Sequence, residues 1–123
     1  MGRKILVVDD EPHLVDMVAT RLRANRYEAV TAVRGGEGIE KAKREKPDLI
    51  LLDVLMPDMD GYGVLSRLKE APETKEIPVI MLTVRRWSED IERALSAGAV
   101  DYIGKPFEPK DLLDKIQKVF KNG

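Results

Sequence analysis

The chain has 123 residues, which fits a single domain, here residues 1–123, of common size. Its 21 basic and 22 acidic residues nearly balance, so no overall positive field exists to gather nucleic acid or an anionic membrane surface. The absence of cysteine excludes disulfides, thiolate nucleophiles and zinc–thiolate sites.

The sequence carries no sign of a membrane segment or a targeting signal. Its longest purely apolar stretches, such as Leu49–Leu52, are far shorter than the roughly 20 residues that a transmembrane helix needs. The N-terminus lacks a signal-peptide core and a small-residue cleavage site. We therefore expect a soluble, cytoplasmic protein that binds neither membranes nor, directly, nucleic acid.

The first half of the chain predicts two strand–helix pairs. The continuous apolar run Ile5–Val8 is typical of a strand that helices cover on both faces. Apolar spacings of three and four predict a helix after it, with its buried stripe at Leu14, Val15, Val18 and Leu22. Tyr27–Val33 predicts a shorter or edge strand. The helix after it, Glu37–Glu45, has the weakest pattern because Gly38 lies inside it.

Three further pairs complete the chain. Strands are predicted at Leu49–Leu52, Pro78–Leu82 and Val100–Ile103. The helices after them have apolar stripes at Leu65 and Leu68, at Trp87, Ile91, Ala94 and Leu95, and at Leu112, Ile116, Val119 and Phe120. Strict alternation of strands and helices implies parallel strands joined by right-handed crossovers, which gives a three-layer α/β sandwich of five units.

Acidic residues follow two of the predicted central strands. Asp9 and Asp10 come after the first strand and Asp53 after the third, at the sheet edge where ligands of such folds gather. Carboxylates gathered in a crevice are costly unless a cation compensates them. The alternative is that Asp9 to Glu11 only cap the first helix and interact with its dipole. The acids alone leave both interpretations open.

Lys105 follows the fifth strand and can lean over the same crevice. Three carboxylates carry a charge of about −3, and one lysine with one divalent cation carries about +3, so Mg²⁺ closes the charge balance. Mg²⁺ is a hard cation that prefers oxygen ligands. Thr83 adds a hydroxyl after the fourth strand, although taken alone it is more simply a cap or turn residue.

Four segments together resemble the receiver domain of two-component response regulators, of the chemotaxis-receiver type. They are Ile5–Glu11 (ILVVDDE), Leu51–Gly61 (LLDVLMPDMDG), Pro78–Thr83 (PVIMLT) and Gly98–Phe107 (GAVDYIGKPF). Each is weak evidence, but all four in this order are specific, and the resemblance covers essentially the entire chain. It implies a flavodoxin-like (βα)5 fold with a parallel five-stranded sheet in the order 2-1-3-4-5.

On the matching positions, the resemblance implies a Mg²⁺ site and a phosphoryl acceptor. Asp53 would accept the phosphoryl group and also bind the metal. Asp10 would be a direct metal ligand, and Asp9 would act through bound water. The backbone carbonyl of Leu55 would complete the protein ligands, so the side chain at that position is free to vary.

The resemblance also implies the switching residues and the partners. Thr83 and Lys105 would contact the incoming phosphoryl group, and Tyr102 would be the aromatic switch that alters the surface of the fourth helix, fifth strand and fifth helix. The phosphoryl donor would be a histidine kinase or a phosphotransfer protein, and the signal would pass to a downstream effector protein or domain. We expect a monomer or weak homodimer that catalyses only its own phosphorylation and dephosphorylation.

Some residues depart from the family pattern or carry a second interpretation. Val84 stands where the family mostly has a small residue, and its branched side chain would narrow access to Asp53 and alter the rates of phosphorylation and hydrolysis. Leu55 and Arg85 occupy positions that commonly tune phosphoryl lifetime in the family. Because Leu55 offers no polar group to orient water, we expect a persistent phosphoaspartate. Trp87 is either an exposed partner-binding residue or, more simply, part of the core. Asp58 and Asp60 are interpreted as turn and cap residues for the third helix.

Two alternative functions belong to other classes. A small Mg²⁺-dependent phosphohydrolase would place its nucleophile directly after the first strand, with a further acid two residues on, and would carry a cap for substrate choice. The chain has Asp9-Asp10-Glu11 and no such cap. A degenerate receiver would act only as a binding module, which the intact Asp10, Asp53 and Lys105 argue against.

Overall fold

The computed structural model describes residues 2–84 and 88–122. Within them, five β-strands alternate with five α-helices, as the apolar pattern predicts. In chain order the elements are β1 Lys4–Val8, α1 Pro12–Ala24, β2 Glu28–Ala32, α2 Gly35–Glu45, β3 Leu49–Asp53, α3 Gly61–Glu70, β4 Val79–Thr83, α4 Ser88–Ser96, β5 Asp101–Gly104 and α5 Pro109–Asn122. Pro12 and Pro109 begin their helices, where the missing N–H of proline is not needed.

No helix in this described part combines the length and the apolarity that a bilayer crossing requires.

The strands form one parallel sheet in the order β2-β1-β3-β4-β5. This confirms the flavodoxin-like topology that the resemblance implies. The register aligns Val8 of β1 with Leu52 of β3, and Thr83 of β4 with Gly104 of β5. The carboxyl ends of the central strands therefore meet at one edge, where the order of the strands reverses.

The continuous apolar runs are explained by helices on both faces of the sheet. Alternate residues of a strand point to opposite faces. Ile5 and Val7 of β1 pack with α1 and α5, and Leu6 and Val8 pack with α2, α3 and α4. Every residue of β3 and β4 is buried. The two layers of core hold the central strands rigidly, so the residues that follow them are held at fixed positions.

Helix α2 begins at Gly35, two residues earlier than the apolar pattern predicts. The reason is a distant cap, since the Asp58 carboxylate accepts hydrogen bonds from the backbone N–H of Gly35 at 2.9 Å and of Gly36 at 3.1 Å. Gly38 is tolerated in this helix because its backbone approaches β1 closely: a Cβ there would lie 2.9 Å from two methyl groups of Val8. The glycine that weakened the helical pattern is required for packing.

The structure corrects the predicted buried stripe of α4. Ala94 is buried, but Leu95 is 45% exposed, because the next residue of a helix is rotated by about 100° away from the sheet. Trp87 lies outside the described residues, as does the side chain of Ile91. Strand β5 begins at Asp101, one residue later than predicted, and Val100 is exposed.

Candidate functional site

Three aspartates meet at the carboxyl edge of the sheet, as the sequence predicts. Asp9 and Asp10 follow β1, and Asp53 is the last residue of the neighbouring strand β3. One carboxylate oxygen of each lies within 4.8 Å of the others. Asp9 is 0% exposed and Asp53 is 4% exposed, whereas Asp10 is half-buried. Negative charges this close and this buried require compensation by a cation.

Lys105 supplies one positive charge to the cluster. It follows β5, and its backbone N–H donates to the carbonyl oxygen of Thr83 at 2.7 Å. This hydrogen bond holds the Lys105 backbone beside the end of β4. Its Nζ donates to Oδ2 of Asp9 at 2.6 Å and to Oδ1 of Asp53 at 3.1 Å, and the side chain is 9% exposed. The Lys105–Pro106 peptide is cis. The predicted placement of this lysine over the crevice is confirmed.

The electrostatics show that one lysine does not fully compensate the negative charge of the cluster. The pKa of Asp53 is raised to about 6, first by burial and then by the charge of Asp9, while the attraction and hydrogen bond of Lys105 and a hydrogen bond from the Leu55 backbone lower it by less. Burial lowers the pKa of Lys105, but its hydrogen bonds and attraction to Asp9 and Asp53 outweigh burial and raise it. Three carboxylates with one ammonium therefore favour binding of a further cation.

Helix capping does not account for the acids after β1. Glu11 is the N-cap residue of α1, but its side chain makes no capping hydrogen bond. Asp9 accepts a hydrogen bond from the Glu11 backbone N–H at 3.0 Å through Oδ1 and binds Lys105 through Oδ2. Both carboxylate oxygens of Asp9 are thus engaged before α1 begins, one with the Glu11 backbone and one with Lys105.

A cleft of about 200 Å³ opens over the cluster. The residues that line it are Asp10, Glu11, Asp53, Val54, Leu55, Val84 and Lys105. Leu55 and Val84 are both exposed at its rim. Arg85, which the resemblance places at a position that tunes phosphoryl lifetime, lies outside the described residues.

Thr83 and Tyr102 lie on the two strands beside the cluster. Thr83 ends β4 and is buried, so it is a strand residue paired with Gly104 rather than a cap or turn residue. Tyr102 is half-buried on β5, with the Nζ of Lys115 5.2 Å from the centre of its ring. Lys115 also forms an ion pair of 3.0 Å with Asp101. The aromatic ring packs against the core on the face of the sheet that α2, α3 and α4 cover, with the Lys115 ammonium of α5 beside it.

The structure corrects one prediction for the loop between β3 and α3, and it shows a role for Gly61 that the sequence did not predict. Asp60 caps α3, as predicted, because its Oδ1 accepts from the Tyr62 N–H at 2.7 Å. Asp58 was predicted to serve α3 but caps α2 instead. The one sequence signal for this contact is that Arg34, the N-cap residue of α2, offers no side-chain acceptor. Gly61 is required because a Cβ there would lie 2.3 Å from the Asp53 carbonyl oxygen.

Comparison with known proteins identifies the class. The family model described as response regulator receiver domain matches residues 5–117. The phosphate regulon transcriptional regulatory protein PhoB of Escherichia coli (strain K12) is 41% identical over 121 residues, which cover 98% of this chain and 53% of PhoB. The chemotaxis protein CheY4 of Vibrio cholerae superposes with a TM-score of 0.92 at 34% identity, over 97% of this chain and 99% of that one.

A third relative carries a metal in the corresponding fold. It is the receiver domain of the sensor histidine kinase PA1611 from Pseudomonas aeruginosa PAO1, solved with a magnesium ion coordinated in its active site cleft. It superposes with a TM-score of 0.87 at 30% identity, over 96% of this chain and 97% of that one.

The chain belongs to the receiver domain family of response regulators. These comparisons do not favour a phosphohydrolase or a degenerate binding module. The chain spans about half the length of the curated relatives that it matches.

Proposed function

We propose that this receiver is a phosphorylatable switch in which Asp53 accepts a phosphoryl group in the presence of Mg²⁺. The observation that carries the proposal is the Lys105 ammonium, which contacts both Asp9 and Asp53 in a cluster of three carboxylates. A lysine and three acids converging after three different strands have a direct use in offsetting the charge of a transferred phosphoryl group. The switch catalyses its own phosphorylation and dephosphorylation, and turnover of an external substrate is not its purpose.

The acidic cluster suits Mg²⁺ because its donors are oxygens. Asp10 and Asp53 would bind the ion directly, Asp9 would act through bound water, and the Leu55 carbonyl would be the fourth protein contribution. The PA1611 receiver domain, with magnesium in its cleft, supports this assignment. When bound, the ion offsets negative charge on the phosphoryl oxygens. The protein residues hold the acceptor carboxylate in place and complete the charge balance.

The proposed transfer needs a donor with a labile phosphoryl group, and a phosphohistidine of a histidine kinase or phosphotransfer protein fits. A carboxylate oxygen of Asp53 attacks phosphorus, a P–O bond forms as the P–N bond breaks, and the electron pair of that bond stays with the histidine nitrogen. Lys105 holds Oδ1 of Asp53 at 3.1 Å, which restricts how the carboxylate turns. Positioning and charge neutralisation supply most of the catalysis.

Phosphorylation of Asp53 would be passed to a downstream effector through Thr83 and Tyr102. The hydrogen bond from the Lys105 backbone N–H to the Thr83 carbonyl oxygen holds these two residues side by side. The Thr83 hydroxyl can therefore meet a phosphoryl oxygen. An inward shift of Thr83 would give the Tyr102 ring space to turn inward from its half-buried position. The surface formed by α4, β5 and α5 would then change between two states.

The coupling predicts that Thr83→Ala separates phosphorylation from switching. We expect the variant to be phosphorylated on Asp53 but to lose most of the phosphorylation-dependent change at Tyr102, measured by NMR on ¹³C-labelled tyrosine rings. Thr74→Ala is the matched control, because buried Thr74 donates to the Leu68 carbonyl oxygen at 2.6 Å within another part of the fold. A full Tyr102 response in Thr83→Ala would contradict the coupling.

The phosphoryl-acceptor assignment predicts a single labelled residue. On incubation with acetyl phosphate and Mg²⁺, we expect the wild-type chain to gain the mass of one phosphoryl group and Asp53→Asn to gain none. Intact-mass spectrometry checks this, with a parallel sample in EDTA expected to remain unlabelled. Steady release of inorganic phosphate without a labelled chain would indicate a phosphohydrolase, and no labelling of the wild type would indicate a binding module.

A further inference from the structure

The loop of residues 54–60 is hydrogen-bonded to α2 through the side chain of Asp58. Oδ1 of Asp58 accepts from the Gly35 N–H at 2.9 Å, and Oδ2 accepts from the Gly36 N–H at 3.1 Å. Asp58 is exposed, yet both of its oxygens bind the free backbone donors of a helix that has no local side-chain cap. The negative charge also interacts favourably with the positive end of the helix dipole.

The two ends of this loop are fixed by other contacts. At the base, the Gly61 N–H donates to the Val54 carbonyl oxygen at 2.7 Å, and Leu55 and Asp60 form an isolated antiparallel bridge. A Cβ on Gly35 would lie 3.0 Å from the Cβ of Met59, so the loop packs closely on the start of α2. Asp58 is the hydrogen-bonded attachment at the tip, three residues beyond Leu55.

We propose that Asp58 is a positioning residue for the metal site: by holding the tip of the loop on α2, it acts together with the Leu55–Asp60 bridge to fix the direction of the Leu55 carbonyl oxygen. The inference rests on the proposed function, in which that carbonyl is a ligand of Mg²⁺. Mg²⁺ demands near-ideal octahedral geometry at about 2.0–2.1 Å, so a small movement of one ligand lowers affinity. Residues that orient metal ligands without touching the ion typically change affinity about 10–100-fold.

The test compares the Mg²⁺ affinity of wild type, Asp58→Ala and Asp58→Asn by isothermal titration calorimetry. We expect the dissociation constant to rise about tenfold in Asp58→Ala and about threefold in Asp58→Asn, because asparagine keeps one acceptor oxygen. Asp48→Ala is the matched control. Asp48 also accepts a backbone hydrogen bond, from the Lys4 N–H at 2.8 Å, but at the other end of the sheet, so its Mg²⁺ affinity should be that of the wild type.

A spectroscopic measurement distinguishes positioning from general loss of stability. In the wild type and in Asp48→Ala, Mg²⁺ should shift the ¹³C resonance of the Leu55 carbonyl; in Asp58→Ala the shift should be smaller at saturating metal. Absence of Mg²⁺ binding to the wild type would overturn the proposed metal site itself. Unchanged affinity and an unchanged Leu55 shift in Asp58→Ala, or in Asp58→Asn if the alanine variant does not fold, would overturn the positioning role alone.

Discussion

Replacing Asp53 by asparagine is expected to stabilise the metal-free protein by about 2–3 kcal/mol above pH 7 and to leave its stability nearly unchanged below pH 4. The pKa of Asp53 is raised from 3.8 to about 6, mainly by burial and secondly by the charge of Asp9. The folded protein therefore holds this proton more tightly than the unfolded chain. The contribution of Asp53 to folding is fully present below pH 3.8 and is lost as the pH rises through about 6.

Urea unfolding in EDTA between pH 4 and pH 8 measures this effect. The difference in the free energy of unfolding between Asp53→Asn and the wild type should grow between pH 4 and 6 and stay constant above. Asp16→Asn, at an exposed position of α1, is the matched control and should change stability by less than about 0.5 kcal/mol. Lower stability of Asp53→Asn at pH 8 would show that Lys105 outweighs the repulsion in the cluster.

Mg²⁺ should narrow or reverse the difference in the free energy of unfolding between Asp53→Asn and the wild type. A ligand that binds the folded state stabilises it according to its concentration relative to its dissociation constant. The proposed site in Asp53→Asn lacks one carboxylate, so the variant should gain less from millimolar Mg²⁺ than the wild type. Repeating the pH 8 measurement with Mg²⁺ tests whether the same carboxylate that costs stability in EDTA is the one that binds the metal.

The sequence predicts the site well because its geometry follows from the sheet. Once the apolar runs are assigned to parallel strands, the residues at the carboxyl ends of β1, β3 and β5 must meet at one edge, which brings Asp9, Asp53 and Lys105 together. Composition and spacing alone do not show which of the adjacent Asp9 and Asp10 points toward Lys105. That choice depends on how the chain turns after β1, where the Asp9 carboxylate accepts the Glu11 N–H.

The features that sequence reasoning missed depend on contacts between distant residues. The early start of α2 is caused by Asp58, 22 and 23 residues further along the chain than the N–H groups it accepts from. The guanidinium of Arg93 lies 4.0 Å from the centre of the Tyr62 ring and joins α4 to α3. Neither contact leaves a periodic signal, because periodicity reports which face of an element is buried and not which residue of another element covers it.

Replacing Lys105 by methionine is expected to lower the free energy of unfolding in EDTA at pH 7.5 by about 3 kcal/mol. The change removes the ammonium that bonds to fully buried Asp9 and to Asp53, and it leaves these two buried charges uncompensated. Labelling of Asp53 by acetyl phosphate should slow at least about a hundredfold, because one preorganised donor to the transferred group is lost. Mg²⁺ should restore much of the stability but little of the rate.

The control for Lys105→Met is Lys115→Met, which also removes a lysine that bonds to an aspartate. Lys115 and Asp101 are 3.0 Å apart but partly exposed, so the loss of stability should be below about 1 kcal/mol.

A double variant, Lys105→Met with Asp53→Asn, tests the two stability predictions together. If Lys105 stabilises the fold by compensating the carboxylates, Asp53→Asn should stabilise the Lys105→Met background more than it stabilises the wild type. Equal effects in both backgrounds would mean that Lys105 acts through packing of its aliphatic chain and not through its charge.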